Sequence, residues 1–377
     1  MKLTSPTRFG AVALTGVLAL TLAACSSTSS AEPGESTGTA GGGSATELSG
    51  SLAGAGASSQ EKAVAGWIAG FNDTYPDVAV SYDAAGSGGG REQFLAGGVQ
   101  FAGSDAALKP EELTKATERC FGGEALELPL YISPIAVVYN LKGVDAEHLQ
   151  LSAATIAKIF NRDITSWDDP AIAAENPDVT LPSTAIIPVN RNDESGTTEN
   201  FTEYLAAASD GAWPHEASGD WPLSGGQSGK GTQGMIDTVS GADGAIGYAD
   251  ASRAGDLGTV ALKVGDEYVP FSAEAAAKVV DASPAAADAT DKRLVVELDR
   301  TTTEKGAYPL VLVSYSIACS TYDSESDANN VKAYLSYVAS PEGQERAADP
   351  SVAGSAPISD DLRTKVQAAI DAITVAS

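Results

Sequence analysis

The sequence predicts an α/β fold with mostly parallel sheets, and three observations carry that prediction. Short runs rich in β-branched and aromatic residues alternate with helix-like stretches along most of the chain. About 330 of the 377 residues follow a low-complexity N-terminal segment, enough for two domains with cores of their own. No internal repeat of fixed period is present.

The N-terminus reads as an address. Lys2 and Arg8 precede an apolar run from Phe9 to Leu22, too short to span a bilayer as a stable helix and followed by the small residues Ala23 and Ala24. Residues 1–24 are therefore expected to be a signal peptide. Leu22-Ala23-Ala24-Cys25 resembles a bacterial lipobox, which makes Cys25 the lipid attachment point of the mature chain. Residues 25–46, mostly Ser, Thr, Gly, Ala and Glu, cannot bury a core and read as a flexible tether spanning on the order of 25 Å. Cleavage removes Lys2 and Arg8 but no acid, which takes the formal net charge from −27 to −29. A body this acidic is a poor partner for nucleic acid or an anionic lipid face.

In the body, strands are expected at Val78–Tyr82, Ala125–Leu128, Ile135–Tyr139, Ile186–Val189, Ala245–Tyr248 and Leu310–Tyr315. Helices are expected at Gln60–Thr74, Arg91–Gly97, Ala153–Phe160, Thr198–Ala208, Ala273–Asp281, Asp327–Ala339 and Ser359–Ile373. With Cys25 lipidated, Cys120 and Cys319 remain in an oxidising compartment, either as a disulfide or as two buried thiols. His148 and His215 stand far from each other and from the cysteines, so no metal-ligand spacing exists and neither metal nor cofactor is expected.

The chemistry lies in the loops. In Pro188-Val-Asn-Arg-Asn-Asp-Glu-Ser-Gly-Thr-Thr198, Arg191 stands four residues before a Ser-Gly-Thr that opens a helix. A guanidinium fork, two hydroxyls and the unbonded N–H groups of a helix start suit one small oxyanion. Gly54-Ala-Gly-Ala-Ser58-Ser59-Gln-Glu61 also enters a helix, with Ser58 and Glu61 at capping-box spacing. Ala85-Gly-Ser87-Gly-Gly-Gly-Arg91 lets backbone come close to a ligand. Phe101-Ala-Gly-Ser-Asp105-Ala106 adds a hydroxyl and a carboxylate, an unusual group beside an anion. One glycine turn before a helix is usually a plain connection, and a Ser or Asp there usually a cap. Four such loops in one exported chain point to a shared ligand.

In these motifs, together with Trp167-Asp-Asp-Pro-Ala-Ile172, Gly229-Lys-Gly231 and Gly244-Ala-Ile-Gly-Tyr248, the chain resembles the phosphate-binding proteins of bacterial phosphate ABC importers over residues 47–377. The resemblance implies a type II periplasmic binding protein-like fold, with the ligand between two domains and two crossing hinge segments near Tyr131–Val138 and Ala307–Val313. It implies residues 47–134 plus 310–377 as domain I and 135–309 as domain II. The implied phosphate contacts are Ser58, the Ser59 amide, Ser87, Asp105, Arg191, Ser195, Gly196 and Thr197, with Asp193 holding Arg191. The family often carries threonine where Ser58 stands and an aromatic residue where Ser59 stands. The implied role is a monomeric extracytoplasmic receptor, lipid-anchored to the outer face of the cell membrane. It would hand inorganic phosphate to permease subunits driven by a cytoplasmic ATPase.

Two other classes fail on residues. A P-loop reading of Ser224-Gly-Gly-Gln-Ser-Gly-Lys230-Gly231 lacks the first glycine and the final Ser or Thr. The Gly-x-Ser-x-Gly frame of a secreted hydrolase falls only on Ser36, inside the tether. A receptor for another oxyanion, such as sulfate, molybdate or arsenate, is the remaining alternative. Asp105 separates phosphate from sulfate, because a buried carboxylate accepts a bond from a protonated anion and repels an unprotonated one.

Overall fold

The computed structural model describes residues 48–377; the expected signal peptide, Cys25 and the expected tether lie outside the described residues. Elements follow in chain order: β1 (Gly50–Gly56), α1 (Glu61–Thr74), β2 (Val78–Asp83), α2 (Ser87–Leu95), β3 (Phe101–Ser104), α3 (Pro110–Arg119) and β4 (Ala125–Asn140). Then come β5 (His148–Leu151), α4 (Ala153–Phe160), α5 (Pro170–Glu175), β6 (Ile187–Arg191), α6 (Gly196–Ala208), β7 (Gln227–Gly229), α7 (Gly231–Ser240), β8 (Ala245–Asp250), β9 (Gly258–Val264), β10 (Glu267–Val269) and α8 (Ala273–Ala282). The chain ends with β11 (Val311–Cys319), β12 (Thr321–Tyr322), α9 (Glu325–Ala339), α10 (Pro341–Ala348), α11 (Asp360–Asp371) and β13 (Thr374–Val375).

The strand order β2-β1-β3-β11-β4-β8-β6-β7 is continuous because β4 belongs to both halves. Its residues up to Pro134 pair with β11, and from Ile135 onward with β8 and β9. Two lobes are thereby defined, one on each half of β4. The expectation of mostly parallel sheets is corrected. Pairs of β1 with β2 and β3, of β6 with β7 and β8, and of β5 with β9 are parallel, but every pairing of β4 and β11 with another strand is antiparallel. Strands that cross between lobes run back against their neighbours, so the sheet is mixed.

The two separate strands expected at Ala125–Leu128 and Ile135–Tyr139 are one. Pro129 and Pro134 lack the N–H that a ladder needs, and the strand accommodates both. At Pro129 the register slips, leaving Leu130 unpaired with β11 so that its carbonyl accepts from Gln344 Nε2 at 3.0 Å. At Pro134 the partner changes. Residues 125–139 are buried throughout, which suits a near-continuous apolar run.

Within the 135–309 stretch, residues near Glu127's partner Arg293 return to the first lobe. Leu294 N–H donates to the Glu127 carbonyl at 3.0 Å, and the Arg293 guanidinium pairs with the buried Glu127 carboxylate. Cys120 and Cys319 form a disulfide, with Cα atoms 5.1 Å apart, joining the end of α3 to the end of β11. Among the described residues, no helix is long and apolar enough to cross a membrane.

Candidate anion-binding site

The loops singled out above all leave the C-terminal ends of strands β1, β2, β3, β6 and β7, where helix N-termini face the gap between the lobes. The first lobe brings Ser58, Ser59, Ser87 and Asp105. The second brings Arg191, Asp193, Ser195, Gly196 and Thr197.

Backbone packing makes the first wall. Gly56 has φ 144°, and a Cβ there would lie 1.9 Å from the Gly103 carbonyl oxygen, so only glycine lets β1 and β3 end side by side. Gly86, at φ 94°, precedes α2, and a Cβ on it would reach 2.7 Å from Asp193 Oδ2 of the opposite lobe. The Ser87 hydroxyl accepts from the Asp105 N–H at 3.1 Å. Asp105 is buried and accepts from the Ser59 hydroxyl at 2.7 and 2.9 Å, and from Thr197 Oγ1, across the cleft, at 2.9 Å. Burial pushes its carboxyl above the usual range; the nearby hydroxyls of Ser59, Ser314 and Thr197 and the Arg191 charge work against that rise.

The second wall is built around one cation. Arg191 is buried at the end of β6 and donates through Nε to Asp193 Oδ1 at 2.8 Å and through Nη2 to Oδ2 at 2.5 Å. Asp193 also accepts the Gly231 N–H at 3.1 Å, from the start of α7. Its carboxylate is thus held on two sides, and Arg191 Nη1 is not used by it. Ser195 is the N-cap of α6, accepting from the Thr198 N–H at 3.2 Å, which leaves the Gly196 and Thr197 amides as first-turn donors without helical acceptors. A Cβ on Gly196 would stand 2.6 Å from Ser87 Oγ and 2.7 Å from Asp105 Cβ. The two walls are therefore in contact at this glycine.

One local expectation fails. Ser58 does not cap α1, whose N-cap is Gln60 without a side-chain bond. Its hydroxyl instead accepts the Thr232 N–H at 2.9 Å and pairs with Thr232 Oγ1 at 3.0 Å, across the cleft. Glu61 is likewise diverted and pairs with Arg253 at 2.6 Å.

Several residues that support the site were missed from sequence. Asn200, one turn into α6, donates to the Asp105 carbonyl at 2.7 Å and the Gly196 carbonyl at 2.9 Å. Arg300 donates to Asn200 Oδ1 and also to the carbonyls of Pro309 and Val311, where the chain returns to the first lobe. Arg91, itself buried, binds Glu112 at 3.1 Å and reaches Glu194 at 2.8 Å. The Tyr248 hydroxyl bonds Thr198 Oγ1 at 2.8 Å and stacks its ring on Phe201 at 4.1 Å between centroids. Arg91, Thr232 and Tyr248 had a local signal, each being next to or within a glycine motif.

The profile of the PBP superfamily domain matches residues 36–342. Phosphate-binding protein PstS 2 of Mycobacterium tuberculosis is 34% identical over 373 residues, covering 97% of this chain and 98% of that protein. The chain belongs to this phosphate-binding protein family. A relative in Xylella fastidiosa, also a phosphate-binding protein PstS, is 34% identical over 70% of both chains. The fold of a high affinity periplasmic phosphate-binding protein solved with phosphate superposes with a TM-score of 0.69 at 20% identity, covering 84% of this chain and 93% of that one. A phosphate binding protein from Stenotrophomonas maltophilia gives 0.63 at 18% identity over 85% and 94%. This family member therefore has the two-domain periplasmic-binding-protein-like α/β fold.

Proposed function

We propose that this chain is the phosphate receptor of an ABC importer and that it encloses inorganic phosphate between its two walls. One observation carries the assignment: a buried Arg191 held by Asp193, the opening turn of α6 and the buried acceptor Asp105 converge where the lobes meet. Arg191 and the Gly196 and Thr197 amides supply positive potential. Ser58, Ser87, Ser195 and the Ser59 amide supply neutral donors, and Asp105 accepts the proton that phosphate retains. The protein is a binding protein, not an enzyme. Relatives named as phosphate-binding proteins, and a similar fold solved with phosphate, support the reading.

The acidic body does not oppose it. Charges farther than about 8 Å are largely screened at physiological salt, whereas donors at hydrogen-bond distance act in a low dielectric. The protein is extracytoplasmic, the Leu22–Cys25 motif supports lipid anchoring through Cys25, and kinship with phosphate-binding proteins supports delivery to a membrane permease by a receptor that acts as a monomer. Calorimetric titration with phosphate, arsenate and sulfate tests the function. Tight phosphate binding with sulfate rejected is expected, and small-angle scattering should show the molecule contract on binding. No heat with phosphate, or equal heats with phosphate and sulfate, would overturn the assignment.

A further inference from the structure

We infer that the side chain of Ser59, beyond its backbone amide, sets anion specificity: its hydroxyl donates to both oxygens of Asp105 and holds that carboxylate in the accepting, proton-free form. The inference rests on Asp105 being the group that selects phosphate. The observation beneath it is geometric. Ser59 is 1% exposed, and its Oγ stands 2.7 Å from Oδ1 and 2.9 Å from Oδ2 of Asp105. A hydroxyl proton shared between both oxygens stabilises the ionised carboxylate more than the neutral carboxyl, because the ionised form accepts at both oxygens with full charge and the neutral form accepts well at only one.

Asp105 needs such help. It is buried, and burial alone drives it toward the protonated form. A protonated Asp105 becomes a donor, and a donor welcomes sulfate as readily as phosphate. The groups facing it divide as follows. Arg191 on β6 favours ionisation, although its charge is shared with Asp193. Thr197 on α6 donates at 2.9 Å. Tyr82 on β2 and Tyr131 on β4 lie near, and burial with the Asp105 charge keeps both phenols neutral. Ser314 on β11 is a further hydroxyl near it, and Lys109, Glu199, Glu203 and Arg300 line the same cavity; Arg300 is engaged by Glu203 and Lys109 by Glu194, so hydroxyl donors carry a large share of the task. A phenylalanine in place of Ser59 would have no proton to give, and this support for the carboxylate would be missing.

The test is direct titration with sulfate, whose charge is constant from about pH 5 to about pH 8, on the mature chain. Sulfate binding in the wild type is expected only at the acid end. In Ser59→Ala the onset should move up by about one pH unit. A carboxyl carbon NMR titration of Asp105 should move with it. Should Ser59→Ala fail to fold, Ser59→Cys, nearly isosteric and a weaker donor, should give a smaller shift in the same direction. Asp105→Asn is the control and should admit sulfate at every pH. Sulfate still excluded by Asp105→Asn would overturn the selectivity reading and this inference together. Sulfate admitted by Asp105→Asn, with the onset in Ser59→Ala unmoved, would overturn the role of Ser59 alone.

Discussion

The two walls of the cleft are built by different means. The first lobe offers glycine-tight backbone, hydroxyls and a carboxylate, and brings no cation of its own to the anion position; its nearest arginine, Arg91, is engaged by Glu112, Glu194 and Ser104. The second offers Arg191 and the opening turn of α6. On the proposed function, attraction comes from one side and discrimination from the other. A site divided in this way is completed only when the lobes touch, so affinity and closure are coupled.

The largest effect should come from removing the attracting wall. Arg191→Ala deletes charge-assisted bonds and leaves Asp193 facing an anion, so phosphate affinity should fall about 10³-fold, or about 4 kcal/mol. Arg191→Lys should recover only part, because an ammonium cannot reproduce the fork. Calorimetry on both variants checks this, and a Lys variant equal to wild type would break the comparison.

A second carboxylate sharpens it. Asp250, at the end of β8, accepts from Tyr131 OH at 3.1 Å and from the Ser252 N–H at 3.0 Å, and burial pushes it up to about 6. Its folded form therefore holds a proton more tightly than the unfolded chain does. Stability contributed by that proton is fully present below the ordinary Asp range, is lost as pH rises through about 6, and stays lost above. The swing is on the order of 3 kcal/mol. Asp250→Asn should lack this loss, so its stability advantage over wild type in urea should grow between about pH 4 and about pH 6. Parallel stability curves across that window would show that Asp250 does not titrate at the junction of the lobes.

The smallest effect concerns closure itself. Asn200→Ala removes the bond from α6 to the Asp105 carbonyl across the cleft, and the loss of about 1 kcal/mol should weaken phosphate about fivefold. Most of the change should appear as faster release in stopped-flow measurements, since the bond forms only with the walls together. A change confined to the association rate would mean that Asn200 shapes the open form instead.

Much of the site was legible because its residues travel in short local blocks. Arg191, Asp193, Ser195, Gly196 and Thr197 lie within seven positions, and a cap followed by Gly-Thr announces a helix start from sequence alone. The supports were not legible. Asn200 and Arg300 are 100 positions apart, and Arg91 and Glu194 are 103. Nothing local marks either pair. Ser58 shows the opposite error: its spacing to Glu61 fits a capping box, yet a tertiary partner, Thr232, took the hydroxyl. Local hydrogen-bonding options lose when a buried backbone N–H elsewhere would otherwise go unpaired.

The sequence by itself determined the α/β alternation, the loops that carry donors and the Leu22–Cys25 motif. Each depends on residues within a turn or two of one another, where propensity and spacing suffice. Only the tertiary structure decided that β4 is one strand shared by both lobes, that the sheet is mixed, and that Cys120 meets Cys319. It alone set the Ser59 hydroxyl against Asp105. Those facts depend on which distant segments pack together, and that choice is made by burying whole faces of apolar surface, not by any local pattern.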